Sequence, residues 1–187
     1  MRNRSSTHSI LVKLTKFSMH KKVLIFDTSV LCCWLRVAGK DTAGTGADKW
    51  DFDRIDALIK DERVLGSTFV LPIASLIETG NHVAQSPSLR YEKALELAAH
   101  LVDAADSNSP WAAFTEQADL WSTENLRELA SSWPTLAAAG LTIGDATIKK
   151  VAQHYASAGF HVEILTGDDG LKAYEPLKPV LEPRRRR

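Results

Sequence analysis

A short apolar run that ends abruptly in a carboxylate is the feature that most constrains this chain. Residues 23–26 (VLIF) are rich in β-branched and aromatic side chains, which predicts a buried strand. Asp27 ends the run, and residues 28–35 then carry apolar side chains at helical spacing. Sites in open α/β sheets are built at the carboxyl ends of strands, and Asp is also a favoured helix N-cap. Asp27 therefore has two interpretations, a functional carboxylate or a helix cap.

The length and composition predict one domain. The chain has 187 residues, of which 44% are hydrophobic, enough for a sizeable core. We place the domain at residues 19–176. A basic N-terminal extension (1–18), which we expect to be disordered, precedes it, and a Pro- and Arg-rich tail (177–187) follows. Met19 lies just before the first strand and is a candidate alternative start.

The cysteines and the hydropathy pattern predict a compartment. Cys32 and Cys33 are adjacent within the first predicted helix, a spacing that suits neither a disulfide framework nor a zinc site. We expect both to be core thiols in a reducing compartment. No apolar run is long enough to span a bilayer, and the N-terminus lacks the apolar stretch of a secretory signal. The prediction is a cytoplasmic protein that does not enter a membrane.

The charge is balanced overall but unevenly distributed. The 23 basic residues equal the 23 acidic ones, yet ten of the basic residues lie within 1–22 and 184–187, which hold no acid. The tail ends in a run of four arginines: Arg184, Arg185, Arg186 and Arg187. Such a run attracts nucleic acid without sequence preference, although a solvated tail without a partner is the alternative.

Two further strands and five further helices follow in the pattern. We predict a loop at 38–50, where Gly, Asp and Thr are frequent, and a helix capped by Asp51. We predict strands at 68–71 and 160–166, and helices at 73–85, from Ser88 to about Ala105, from Thr123 to Pro134, and around Ile148–Tyr155. In the helix from Ser88 the residues expected to face inward are Tyr91, Leu95, Ala98, Leu101 and Val102. The aromatic segment 107–133 reads as an insertion packed by Trp111, Phe114 and Trp121, with stacking of nucleic-acid bases on these rings as the alternative.

Three more acids lie where a site could use them. On the helix at 73–85, Ser75, Glu78, Asn81 and His82 share one polar face beside the apolar one. Asp145 lies three residues before Ile148 and extends the buried face of its helix, where an unpaired charge is costly. Asp168 follows the last strand within a Gly-Asp-Asp-Gly turn. Each placement also has a structural interpretation: an exposed face, a helix cap and a tight turn.

Taken together, these placements predict a metal site. Strands that are joined by right-handed crossovers in a parallel sheet bring their carboxyl ends to one edge. We expect Asp27, Glu78, Asp145 and Asp168 to converge there. Carboxylates without a local His or Cys cluster suit Mg²⁺ or Mn²⁺. Such ions can activate water and stabilise an oxyanion leaving group in phosphodiester cleavage.

At these four stretches the chain resembles the PIN-domain nucleases. The matching segments are VLIFDTSVL, LPIASLIETGNHV, GLTIGDATI and EILTGDDGL. The resemblance covers roughly residues 22–175 and is most specific in the first and last segments. It implies a three-layer α/β/α sandwich with a central parallel sheet, and a metal-dependent endoribonuclease that cleaves single-stranded RNA. The family's Thr-x-Asp pattern after the last strand matches Thr166, Gly167 and Asp168, so the resemblance assigns the role of the family's last acid to Asp168.

The resemblance also implies site residues and partners. Asp27, Glu78, Asp145 and Asp168 would be both catalytic residues and metal ligands. The polar residues expected to support them are Thr28, Ser29, Asn81, Thr166 and Asp169. Many members of the family are toxins of toxin–antitoxin pairs, so an antitoxin or another protein partner and a homodimer are further expectations. The long aromatic segment 107–133 and the acidic body depart from the compact members.

Two alternatives belong to other functional classes. A phosphatase of the haloacid dehalogenase type would also place an Asp after the first strand, but its nucleophile motif has a second Asp two residues on, where this chain has Ser29. A burst of acyl-phosphate on Asp27 would support that class. A PIN-like binding module without activity is the other alternative, and the four retained acids argue against it.

Overall fold

A parallel sheet of three strands lies at the centre of the structure. In the computed structural model, which describes residues 21–46 and 49–178, β1 (Lys22–Phe26) lies between β4 (Thr68–Val70) and β5 (His161–Leu165). Leu24 of β1 is in register with Phe69 on one side and Glu163 on the other. Since β1 is the middle strand, the residue that follows it is at the centre of the sheet's carboxyl edge.

Helices connect these strands, and a two-stranded antiparallel ribbon lies between α1 and α2. The ribbon consists of β2 (Thr42–Ala43) and β3 (Trp50–Asp51). The helices are α1 (Thr28–Trp34), α2 (Phe52–Leu65), α3 (Ile73–Gln85), α4 (Arg90–Ala105), α5 (Thr123–Ala138), α6 (Ile143–Ser157) and α7 (Asp169–Lys172), with a 3₁₀ helix at Phe114–Trp121. The predicted strands and the helix at 73–85 are confirmed to within one residue at each end. The ribbon lies largely within residues 38–50, a segment whose Gly, Asp and Thr content predicts a loop.

Both faces of the sheet are buried, because alternate side chains of β1 enter two different clusters. Leu24 and Phe26 pack with residues of α1 and α2. Val23 and Ile25 pack with residues of α6 and with Leu171 of α7. Strands covered on both faces read as continuous apolar runs, which is why VLIF marked β1 in the sequence. The mixed α/β class with a parallel sheet between helices is thus confirmed.

The predicted end of α5 at Pro134 is wrong. The helix continues through the proline to Ala138. Trp133 and Leu136 pack against a cluster that contains Leu129 and Leu141, and the Trp133 indole donates to the Leu141 carbonyl at 3.3 Å. These tertiary contacts hold the last turn, although proline removes one backbone hydrogen bond within the helix.

The predicted inward face of α4 is also wrong. All five residues expected to be buried are exposed, including Tyr91 at 73% and Leu95 at 55%, whereas Leu97 and Ala104 are buried. Apolar residues occur on several sides of this helix, so the periodicity does not identify one face. Packing against α3 selects the side that carries Leu97.

Two of the three aromatic residues predicted to pack the insertion contact the core: Trp111 lies in it and Phe114 packs against it, whereas Trp121 is half-buried. Trp111 is buried, and its ring lies 5.4 Å from the Phe26 ring and 5.7 Å from the Phe69 ring. Residues 110–112 run beside β4, since the Phe69 amide donates to the Pro110 carbonyl and the Ala112 amide donates to the Phe69 carbonyl, both at 2.8 Å. The start of the insertion therefore continues the sheet next to β4.

Some predictions fall on residues that the structure does not describe. These are the extension 1–18, the alternative start at Met19, and the four arginines 184–187. Within the described ranges, no helix has both the length and the apolar character needed to cross a bilayer.

Candidate metal centre at the carboxyl edge of the sheet

Asp27 is the buried centre of the candidate site. It ends β1 and caps α1, and its carboxylate accepts the amide of Thr28 at 2.6 Å and that of Ser29 at 3.3 Å. The hydroxyls of Ser29 and Thr166 donate to its Oδ2 at 2.6 and 2.8 Å. Asp27 therefore caps α1, which confirms one of its two interpretations. Its role as a functional carboxylate stays a prediction.

The electrostatics of Asp27 are set by burial. Removal from water raises the pKa of its carboxyl above the ordinary value, and the hydrogen bonds from Ser29, Thr166 and the Thr28 amide oppose that rise without cancelling it. Each of these donors is a neutral group. The ionised form of Asp27 consequently lies in surroundings that favour the approach of a cation.

Hydrogen bonds tie the loop after β5 to Asp27. The Thr166 hydroxyl that donates to Asp27 also accepts the Asp168 amide at 3.0 Å, and the Ser29 hydroxyl accepts the Gly167 amide at 3.0 Å. The Asp168 carboxylate is exposed and caps α7, accepting the Gly170 amide at 2.6 Å. Thr166 and Ser29 therefore fix the spatial relation between the two strand ends that carry acids.

Glu78 joins the site from α3. It is exposed, and its Oε2 accepts the Thr28 hydroxyl at 3.0 Å. Its Oε1 lies so close to Gly144 of α6 that a Cβ atom at that position would overlap it. A side chain at position 144 would therefore displace the Glu78 carboxylate from the space between the amino ends of α1 and α6.

Asp145 is held at the start of α6 by a capping box. The Thr142 hydroxyl accepts the Asp145 amide at 3.1 Å and donates to Asp145 Oδ2 at 2.7 Å. Asp145 is half-buried. The Thr-x-x-Asp spacing of this box is visible in the sequence, so Thr142 could have been identified as a positioning residue.

The four acids line one cavity of about 350 Å³. Its wall also contains Cys32, Lys40, His82 and Thr142, together with Thr42 and Ala43 of the ribbon. Burial raises the pKa of the Cys32 thiol to about 11, so this side chain is a neutral part of the wall. Sequence reasoning missed Lys40, since a lysine in a Gly- and Asp-rich loop carries no positional signal.

The donor set partly fits the predicted ion. Carboxylate and hydroxyl oxygens are the ligands that Mg²⁺ and Mn²⁺ prefer, and all four carboxylates face a common cavity. Among the residues that the structure describes, however, no three His, Cys, Asp or Glu side chains are arranged around one point as ligands of a single ion. The donor atoms are therefore of the type that these ions bind, and they line one cavity. Which of them coordinate a metal ion stays a prediction.

The predicted supporting residues divide into two groups. Thr28, Ser29 and Thr166 donate hydrogen bonds to the acids, as described above. Asn81 is exposed on α3 and does not line the cavity, whereas Asp169 lines a neighbouring cavity. Sequence adjacency alone did not distinguish these cases.

The ribbon closes one side of the site. A Cβ atom at Gly167 would overlap the backbone of Ala43 and Gly44, so the ribbon approaches the loop after β5 as closely as a glycine allows. The Trp50 indole donates to the Thr166 carbonyl at 3.0 Å. The ribbon thereby supports the residue whose hydroxyl holds Asp27.

Comparisons with family models, with curated proteins and with solved structures returned no match to this chain.

Proposed function

We propose that this protein is a cytoplasmic, divalent-metal-dependent endoribonuclease with a PIN-like fold. The observation that carries the proposal is the common cavity lined by Asp27, Glu78, Asp145 and Asp168 at the carboxyl edge of a parallel sheet. The resemblance to PIN-domain nucleases supplies single-stranded RNA as the substrate class. A homodimer and an antitoxin partner belong to the same proposal, on the resemblance alone.

The four carboxylates would hold Mg²⁺ or Mn²⁺, which when bound would lower the pKa of a coordinated water and offset charge on a phosphate. The chain's own groups orient these acids. Ser29 and Thr166 hold Asp27, Thr28 holds Glu78, and Thr142 holds Asp145. The Lys40 ammonium is the group in the wall best suited to attract a phosphate towards these acids.

The contacts of Ser29 favour the nuclease over the phosphatase alternative. The nucleophile motif of the haloacid dehalogenase class has a second Asp at this position. Here the Ser29 hydroxyl donates to Asp27 and accepts the Gly167 amide. It is therefore engaged in positioning the two loops.

The deciding experiment measures cleavage of a labelled single-stranded RNA by the wild type and by Asp27→Asn. We expect cleavage with Mg²⁺ or Mn²⁺, loss of cleavage in EDTA, and at least a hundredfold slower cleavage by the folded variant. Circular dichroism serves as the fold control. Equal rates for the folded variant and the wild type in the same metal would contradict the assignment, and absence of cleavage by both would favour the silent binding module.

A further inference from the structure

A second cavity lies directly beside the acidic one. It has a volume of about 250 Å³, and its wall includes Gly44, Thr45, Trp50, Arg54 and Lys172. Adjacent residues of two loops separate the cavities: Ala43 lines the acidic cavity and Gly44 the second, and Asp168 lines the acidic cavity and Asp169 the second. The two cavities are therefore neighbours, divided where the ribbon meets Gly167.

In the second cavity an arginine lies over a tryptophan ring. The Arg54 guanidinium lies 4.2 Å from the centroid of the Trp50 ring. Trp50 is held by its bond to the Thr166 carbonyl, and Arg54 donates to the Lys49 carbonyl at 2.7 Å. Unstacked bases of single-stranded RNA bind to aromatic rings and to guanidinium planes of this kind. The pair is therefore a preformed surface for one base.

The two cavities also differ in the charged residues that line them. Four carboxylates line the acidic cavity. The wall of the second cavity carries both signs of charge: Arg54, Lys172, Glu163 and Asp169. Glu163 is paired with Lys22 at 2.7 Å and Lys172 with Glu175 at 2.5 Å. A phosphodiester chain is repelled by the carboxylates of the acidic cavity, whereas the Arg54 guanidinium adds a positive charge to the second one.

From this juxtaposition we infer that the second cavity is a subsite for a nucleotide adjacent to the scissile phosphate of single-stranded RNA. The base stacks on the Trp50–Arg54 pair, and the Arg54 charge attracts the backbone phosphate. The inference rests on the proposed function for the position of the cleaved bond. It assigns Trp50 and Arg54 to substrate binding, a role that the four acids do not have.

The test measures RNA affinity and cleavage separately for Arg54→Gln. Fluorescence anisotropy of a labelled six-nucleotide RNA in EDTA reports binding without cleavage, and steady-state kinetics in Mn²⁺ report kcat and KM. We expect the affinity to fall and KM to rise about tenfold, with kcat nearly unchanged, because stacking and charge act on binding. Binding of a duplex with the same sequence should change much less, since its bases are already stacked.

Lys60→Gln is the matched control. Lys60 is an exposed cation of the same helix that pairs with Asp56 at 2.6 Å and lines neither cavity. Trp50→Leu, checked by circular dichroism, should weaken RNA binding at least as much as Arg54→Gln does. Equal affinities for Arg54→Gln and Lys60→Gln would overturn the subsite. RNA binding that depends on Arg54, in a protein that cleaves nothing, would support the subsite and contradict the nuclease.

Discussion

The two ends of strand β1 each lie beside a buried carboxylate, and the two carboxylates differ in what surrounds them. At the amino end, Glu62 of α2 forms an ion pair with Lys22 and accepts the Ser67 hydroxyl at 2.5 Å. At the carboxyl end, Asp27 accepts hydrogen bonds from amides and hydroxyls. Both residues are 6% exposed to solvent, although Asp27 is surrounded by protein more deeply than Glu62.

The pKa values of the two groups move in opposite directions. Burial alone raises the pKa of both carboxyls. For Glu62, the hydrogen bonds from Lys22 and Ser67 and the charge of Lys22 outweigh burial and lower the pKa. For Asp27, neutral donors do not outweigh it, and the pKa is raised. Because its pKa is lowered, the ionised form of Glu62 favours the folded state at neutral pH. Asp27 has neutral hydrogen-bond donors and is suited to bind an added cation.

Variants that remove one of the two carboxylate charges should show the largest difference between the two ends of β1. Asp27→Asn should slow RNA cleavage about a thousandfold, because the site loses several kcal/mol of transition-state stabilisation. Glu62→Gln should leave cleavage unchanged and lower the free energy of unfolding by about 2 kcal/mol, because Lys22 loses a buried partner. Cleavage assays and urea unfolding of both variants measure this. A Glu62→Gln variant that loses activity as strongly as Asp27→Asn would remove the distinction.

The position of Glu78 can be tested without altering any charge. Gly144→Ala should displace the Glu78 carboxylate and slow cleavage about ten- to a hundredfold, as does loss of other groups that orient metal ligands. Gly80→Ala is the control in the helix that carries Glu78, since a Cβ atom there meets only a Leu97 methyl group at 3.9 Å. Similar rates for the two variants would show that Glu78 tolerates displacement.

Added metal should stabilise the protein through Asp27 and not through Glu62. Mn²⁺ at about 100 times its Kd should increase the free energy of unfolding by about 2.7 kcal/mol, which is a rise in Tm of roughly 5–10 °C. Glu62→Gln should keep this rise and Asp27→Asn should lose most of it. Thermal scans with and without Mn²⁺ measure the shift, and calorimetry at millimolar metal measures binding. An unchanged Tm together with no binding heat for the wild type would rule out the proposed centre.

Acid titration should reveal a smaller difference. The raised pKa of Asp27 means that the folded protein binds this proton more tightly than the unfolded chain does. Its stabilising contribution is present below the ordinary value of 3.8 and is lost as the pH rises through the folded pKa. Asp27→Asn should therefore be more stable than the wild type at pH 7 without metal, since Asn also caps helices well.

Glu62 should have the opposite pH dependence. Its lowered pKa gives a contribution that is present above the ordinary value of 4.5 and is lost as the pH falls through the folded pKa. Urea unfolding between pH 3 and 7 should show that both variants approach the wild type in acid from opposite sides. Curves that run parallel to the wild type would contradict the assigned pKa directions.

The smallest effect on the site is expected from the C-terminal arginines. Deletion of residues 184–187 should weaken RNA binding and reduce the slope of log affinity against log salt by up to about 3 for single-stranded RNA. Metal binding should be unchanged, because the four acids lie elsewhere in the chain. Filter binding at several salt concentrations measures the slope, and a slope equal to that of the full chain would exclude the tail from RNA binding.

Local patterns were sufficient to predict the three strands of the parallel sheet and the positions of the four acids, but not the ribbon. VLIF identified β1 because a strand covered on both faces is apolar throughout, and Asp27, Asp145 and Asp168 all lie at strand ends or helix starts, where polar residues have strong local preferences. The inward face of α4 and the end of α5 were wrong, because packing against α3 and the contacts of Trp133 outweigh local preference.

The sequence by itself determined which residues could carry charge at the edge of the sheet, since the periodicity of strands and helices is a property of neighbouring residues. Only the tertiary structure decided how those charges are balanced. Lys22 and Glu62 lie 40 positions apart, and Thr166 donates to Asp27 across 139 positions. Contacts at such separations leave no periodic signal. The identity of the acid that is neutralised, and of the acid that is not, is therefore a result of the fold.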